Sequence, residues 1–594
     1  MHTSTSYQPP NEIIIPQPVP ASENYEESEY RDWLEHAIKL NGALISTVPE
    51  IRALAEHILP EIIEAIEAAD SLNTTGTKNR SKLKEAVKVI LINLYVAYLL
   101  GQPVRYSRDT HYYSRPKRYG KLHFKYNRIL AIIDALLKAG YIEQAKGFFA
   151  KEKDFGRQSR MWASIDLIKL FQEFLLDQFQ IAETAPRTEL IELRNKAKEP
   201  IAYRDTQRTY KMRKNLRLYN NFINQFEVTV QLAEDVPVSL NNLYKRVLSS
   251  TLLGNISITQ FTVDQDKVAN LTRSSLQVED NNSTNITEVT HTPSMTHKIS
   301  QIYNVIQELQ SKKTCCLEEE KSTCTATEIR HNEDIFLAIL SLITKKHFFY
   351  NRTQKGNKKI IRKEIISRRN KEKHPLHYFG IQQIEFTVNA KNLHRVFNKS
   401  KFTLGGRFYG AYHETISKKF RRHIKIDGQE TVEWDYKAHH LRMPYHLLGI
   451  DYQDDPYLVL ATDKNERKIY KKLCLIAINA ENETKAIQGF RKQAMEEDFG
   501  ILLTNEMIRS LLDWLKMVHA PIAEYIHSKK GLKLQYLDSQ ITEAILMSMT
   551  KQGIPCLPVH DSYVVPAQHE AELQEAMMEE YRKVMGFEPI IEKA

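Results

Sequence analysis

Long apolar runs are missing from this chain of 594 residues. The longest, Val87–Leu100, is interrupted by Asn93 and two tyrosines, so no transmembrane helix and no membrane partner are expected. The opening MHTSTSYQPPNE lacks the charged-then-apolar order of a secretory signal. Cysteine is scarce. Cys315, Cys316 and Cys324 share one polar segment, Cys474 and Cys556 sit in apolar runs, and no CxxC pair occurs. A disulfide framework and a zinc site are therefore not expected, and the cytoplasm is the expected compartment. Apolar content of 42% is ordinary for a globular protein. The length exceeds what one core supports, so two or more domains are expected.

Positive charge is in excess. The formal net charge is +10 and the pI is near 9.0, which favours a polyanionic partner. Residues 1–28 are aperiodic and read as a flexible tail. Residues 29–185 read as a helical domain. Ile51–Ala69 and Ser81–Leu100 carry helical apolar spacing, with Ser81 as the expected N-cap and Gly101 and Pro103 as the stop. Tyr126–Gly140 follows as an amphipathic helix. Tyr141–Phe149 and Arg160–Ile165 then read as strands around the charged turn KEKDFGRQS. Helix, glycine, strand, turn, strand is the outline of a winged helix, and the segment resembles the winged-helix domains of replication initiators and bacterial regulators. Arg115, Lys117, Arg118, Lys121 and Lys125 before the helix, with Lys151, Lys153, Arg157 and Arg160 in the wing, lie where such a module meets phosphate. Tyr112, Tyr113 and Tyr119 are interleaved with them. The plainer reading is a small helical domain with a solvated basic face.

Residues 186–256 are helical and basic, with Arg204, Arg208, Lys211, Lys214 and Arg217 at three- and four-residue steps. Residues 257–330 are rich in Ser, Thr, Asn, Asp and Glu and read as a disordered linker. Residues 331–594 form the second half. It opens with an apolar helix over Asp334–Thr344. A basic segment with Phe348, Phe349 and Tyr350 follows, the ingredients of a nucleic-acid track.

Two stretches point to chemistry. In TVEWDYKAHHLR a β-prone run ends at Asp435, and in CLPVHDSYVV two β-prone runs join at His560–Asp561, the shape of a hairpin with its acid at the tip. Phosphoryl transfer to a growing strand needs two divalent ions, and magnesium prefers hard oxygen ligands, so two aspartates on adjacent strands are the minimum protein contribution. Taken singly, each aspartate is an ordinary turn residue. His413, His423, His439, His440 and His446 crowd around Asp435, but their spacing fits no standard metal-ligand pattern.

DYKAHHLRMPYHLLGIDYQDDPY resembles motif A of the family A DNA polymerases, DYSQIELR, with Asp435, Tyr436, Leu441 and Arg442 in register. VHDSYVV resembles motif C, which reads VHDE in those enzymes and VHDS in the single-subunit phage RNA polymerases. RKIYKKLCLIAINA resembles the motif B helix, and GGRFYG resembles the RGRxY segment. The resemblance spans roughly Phe402–Pro589 and implies an α+β chain: a helical N-terminal half with the winged helix, a disordered linker, and a C-terminal right-hand palm. It implies a nucleotidyltransferase using Mg2+ or Mn2+, with DNA and nucleoside triphosphates as partners. Asp435 and Asp561 would hold the metals. Arg467 and Lys471 would bind the triphosphate, with Lys471 as general acid to the leaving pyrophosphate. Tyr436, His440, Leu475 and Asn479 would border the nucleotide. Arg407, Gln540 and His560 would lie near template or primer.

The departures fall at the positions that select the sugar. The glutamate after motif A aligns with His440, the stacking aromatic with Leu475, and the Tyr-Gly pair with Asn479 and Ala480. DNA and RNA products therefore both stay open. The short spacing from motif A to motif B implies a reduced fingers domain. No carboxylate cluster of a proofreading exonuclease is apparent in the first half. LQYLDSQITEAILMSM reads as a helix starting near Asp538, on which Gln540 and Glu543 would face the primer terminus or a metal; the plainer reading makes Asp538 an N-cap and Glu543 a structural partner. Two other functions fit the same residues: a DNA-binding initiator whose second half has lost catalysis, and a two-metal nuclease. A replication enzyme carried by a mobile element suits the whole.

Overall fold

The computed structural model describes residues 33–113, 117–119, 125–150, 155–175, 181–185, 187–263, 373–379, 381–458, 464–497, 504–528 and 530–594. Most of the expected linker lies outside the described residues, as do the Asp334–Thr344 helix, Phe348, Phe349, Tyr350, Arg115, Lys121, Lys151 and Lys153. The chain is mixed α/β and forms two compact units that interleave. The first draws on 1–114, 121–186 and 231–387, the second on 115–120, 187–230 and 388–594. This departs from a division at a single linker. The basic stretch 186–256 is split, and its central helix belongs to the second unit.

In the first unit, β1 (Ile38–Lys39), β2 (Val104–Tyr106), β6 (Ser159–Ala163) and β3 (Ile142–Ala145) form a sheet in that order, β1 parallel to β2 and the rest antiparallel. Between β3 and β6 the chain makes a smaller hairpin, β4 (Phe148–Ala150) with β5 (Phe155–Arg157). The helices are α1 (Pro49–Ala68), α2 (Thr77–Leu99), α3 (Tyr126–Lys138) and α4 (Ile165–Leu175). Helix α2 starts at Thr77, not at Ser81, and Gly76 with φ 80° lets the chain turn into it. Every residue from Ile90 to Tyr98 is buried, so the longest apolar run is a core helix. Its Asn93 is satisfied there, donating to the carbonyls of Val89 at 2.7 Å and Asn41 at 3.0 Å. No described helix is long and apolar enough to cross a membrane. The unit also holds a helix over 240–252, a strand over 256–263 and most of a strand over 381–388.

The second unit is built on an antiparallel sheet. It has β7 (Ile191–Leu193), α5 (Gln207–Ile223), β8 (Val228–Ala233), β9 (His394–Asn398), β10 (Lys401–Tyr409), β11 (Ile424–Ile426), β12 (Gln429–Tyr436), α6 (His439–Leu447), α7 (Lys464–Asn479), α8 (Glu483–Glu497), α9 (Asn505–Val518), α10 (Gly531–Lys551), β13 (Leu557–Val559), β14 (Ser562–Pro566), α11 (Glu570–Met585) and β15 (Ile591–Lys593). Strand order is β8-β11-β12-β14-β13, with β15 also on β12. β13 and β14 are buried at every position, as expected for strands covered on both faces. A second sheet, β7-β9-β10, lies against α10. Gly406 permits that approach. Its φ is 89°, and a Cβ there would come within 2.6 Å of the Phe397 ring and 2.8 Å of Ser539 Oγ.

Candidate active site

Strand alternation sorts the end of β12. Tyr436 turns into the core, where its hydroxyl donates to Met577 O of α11 at 2.7 Å and its ring stacks on His439 at 4.8 Å. The structure thus places Tyr436 inside the fold with its hydroxyl engaged. Glu433 and Asp435 share the other face. β13 and β14 are joined by two residues, since Val559 pairs with Ser562. His560 has φ 61° in that turn, as a two-residue hairpin demands of its first central residue. The register pairs Asp435 with Ser562, so Asp561 adjoins Asp435 across one strand boundary. Directly paired Cα atoms in such a ladder are about 4.5–5.5 Å apart. The amide of Tyr436 reaches Asp561 O at 3.4 Å.

Asp435 is half-buried, and its Oδ1 is enclosed without a hydrogen-bond partner. Burial, then the charge of Asp561, pushes its carboxyl up to about 7, against pulls from His439 and Lys471. An enclosed carboxylate oxygen with no donor is costly. Two carboxylates on adjoining strands form a hard-oxygen donor set that suits magnesium or manganese. Glu433 is already occupied. It accepts from Arg421 at 3.0 and 2.7 Å, and its Oε1 lies 2.6 Å from Ser562 Oγ. This bridge fastens β12 to the strand that leaves the Asp561 turn.

The α7 helix supplies the cations. Arg467, Lys471, Leu475 and Asn479 recur at four-residue steps on one face. Lys471 is exposed and acts electrostatically on Asp435. Arg467 is held by Asp455 Oδ2, at 3.1 Å from Nε and 2.6 Å from Nη2. Leu475 is half-buried, and Asn479 donates to Leu475 O at 2.7 Å at the helix end.

Asp538 corrects an expectation. It lies inside α10, seven residues past its start at Gly531, so it is no N-cap. It is fully buried and receives Arg407 Nε at 3.0 Å and His439 Nε2 at 3.2 Å. Burial alone would raise this carboxyl; the hydrogen bond from His439 and the Arg407 charge outweigh burial and hold it well below the usual range. Arg407 Nη2 also lies 2.9 Å from His440 Nε2. A guanidinium only donates, so His440 accepts through Nε2 and is neutral, consistent with burial lowering its pKa. His439, His440 and Asp538 present ligand atoms within 4.8 Å of one another. The Arg407 guanidinium already supplies positive charge there. His560 is exposed at the hairpin tip. Gln540 is half-buried with Nε2 unpartnered. Glu543 is a structural partner: it accepts from Arg395 and, at 2.8 Å, from Asn215.

The basic residues ascribed to a wing fare differently. Arg160 is buried, donating to Leu34 O at 2.8 Å and Gln158 O at 2.7 Å, so it is not offered to phosphate. Arg118 belongs to the second unit, where it binds Glu189 at 2.8 Å and Asp205 at 3.1 Å beside Arg213. Each of the two has a partner far along the chain, Leu34 for Arg160 and Glu189 and Asp205 for Arg118. Lys117 sits in a 3-10 turn of the same segment. Arg157 is half-buried, 5.4 Å from the Phe148 ring.

No protein-family model and no curated protein matches the chain. Among solved structures, the POL domain of Pol1 from M. smegmatis, in complex with DNA primer-template and dNTP, aligns with a TM-score of 0.27 at 11% identity, over 59% of this chain and 68% of that one. A likeness of that size leaves function to the geometry of the site itself.

Proposed function

We propose that the second unit is a template-directed nucleic-acid polymerase of the palm type, with α7, α8 and α9 as reduced fingers, and that its partners are DNA and nucleoside triphosphates. The observation that carries this reading is the unpartnered Asp435 Oδ1 beside Asp561, with Lys471 close enough to act on it. Asp435 and Asp561 would hold two magnesium or manganese ions, which when bound supply the Lewis acid for nucleotidyl transfer. Lys471 would neutralise the pyrophosphate as it leaves and donate it a proton. Arg467 would bind the triphosphate, exchanging one of its bonds to Asp455. Leu475 and Asn479, on the same face, would border the base. Arg407, locked to Asp538, would face primer or template, with Gln540 and His560 nearby, and His440, which accepts from Arg407, would border the nucleotide.

For the first unit we propose DNA binding through α3 and the β3–β6 hairpin, in the manner of a winged helix, with Arg157 as a candidate phosphate contact. A chain joining both functions suits a mobile element that brings its own replication enzyme. The test is template dependence. With magnesium and a primer–template of defined sequence, each added nucleotide should follow the template base. Untemplated addition, or hydrolysis of the strand, would remove the polymerase reading.

A further inference from the structure

Helix α5 carries Arg208, Lys211, Arg213, Lys214 and Arg217 and no acidic residue. The fold sorts these cations into two sets. Arg208 and Arg213 turn inward. Arg208 meets Tyr536 of α10, and Arg213 binds Glu189 at 3.0 Å and Asp205 at 2.8 Å. Lys211, Lys214 and Arg217 are exposed, and none pairs with a carboxylate among the described residues. Tyr210 and Leu218, 61% and 48% exposed, lie on the same side. Successive steps of three residues advance about 4.5 Å and turn back about 60°. The three cations therefore form a stripe roughly 9 Å long.

The support beneath the stripe is firm. Met212, Leu216 and Tyr219 are buried, Tyr219 donates to Cys556 O at 2.8 Å, and Asn215 donates to Glu543 at 2.8 Å. A solvated helix usually intersperses acids at three- and four-residue steps. Here like charges face one another without relief, a mildly destabilising arrangement. A polyanion with evenly spaced charges would relieve it. We propose that the outer face of α5 binds the phosphate backbone of duplex DNA without regard to sequence. This goes beyond nucleotidyl transfer, since it requires neither metal nor reaction.

The test uses the full-length protein in EDTA with a random-sequence duplex, measuring affinity by fluorescence anisotropy across salt concentrations. For K211Q/K214Q/R217Q the slope of log affinity against log salt should flatten by about 2 to 3, and binding at 0.1 M salt should weaken roughly 100-fold. K583Q, whose amino group pairs with Glu579 at 2.8 Å, should leave the slope unchanged. An unchanged slope in the triple variant overturns the proposal. If that variant melts early, K211Q and R217Q singly should each flatten the slope by about 0.9, and their failure to do so overturns it equally. Loss of binding to anionic phosphatidylserine vesicles with DNA binding intact would also overturn it, assigning the stripe to a membrane. Loss of incorporation by the wild type would count against the polymerase reading and leave the anisotropy result standing.

Discussion

Replacing Asp435 by Asn should stabilise the metal-free fold at alkaline pH, and by a calculable amount. Burial and Asp561 lift the Asp435 carboxyl from 3.8 to about 7. The native state then holds its proton more tightly than the unfolded chain does. Stability from this group is whole below about pH 4, declines as pH rises towards 7, and levels off above that. The full shift corresponds to about 4 kcal/mol, and screening at a half-buried site brings the expected effect to roughly 2–4 kcal/mol. Asn cannot ionise and escapes this loss. In EDTA, amide exchange along β12 and β14 should show Asp435→Asn gaining roughly 2–4 kcal/mol on the wild type between pH 4 and pH 8. Magnesium at pH 8 should restore the wild type, by about 2.7 kcal/mol at a hundredfold excess over Kd, and leave the variant unchanged. A difference independent of pH, or one of opposite sign, would refute the reasoning.

Asp538→Asn should lower stability by roughly 3–5 kcal/mol at pH 7 in denaturant titrations, because it leaves Arg407 charged and half-enclosed without its carboxylate. Ala438 links β12 to α6 with φ 53°, and Ala438→Gly should raise stability by up to about 1 kcal/mol in the same assay, since only glycine adopts that conformation without strain. Lys471→Ala should lower kcat by roughly 10²- to 10⁴-fold in single-turnover incorporation if it donates the leaving-group proton, with little change in thermal melting, because the side chain is exposed.

The two aspartates were legible in the sequence because each ends or tips a β-prone run, and a two-residue connection leaves few ways to pair those runs. The α7 face came from the resemblance to motif B, whose Arg and Lys sit four residues apart, as Arg467 and Lys471 do. Asp538 was not. A polar residue near the start of an apolar helix looks like a cap, and its partners His439 and Arg407 lie 99 and 131 residues away. The same limit hid Arg118 and Arg160: a cation in a basic segment looks alike whether it meets phosphate, a distant carboxylate or a buried backbone carbonyl. The membership of α5 in the second unit was equally hidden, because Arg208 and Asn215 meet Tyr536 and Glu543 across 328 residues of chain. Glu433 and Arg421 escaped notice because β-strand alternation alone does not say which acid stays unpaired.

The central claim is that Asp435 and Asp561 act together as the metal-holding pair of a polymerase. Single-turnover primer extension with magnesium tests it most directly, with deoxynucleotides and ribonucleotides supplied separately to wild type and Asp561→Ala. The account predicts extension by the wild type and a loss of about 4 kcal/mol, roughly 10³-fold, in the variant. Equal extension by both proteins, or none by the wild type while DNA binding persists, would contradict it.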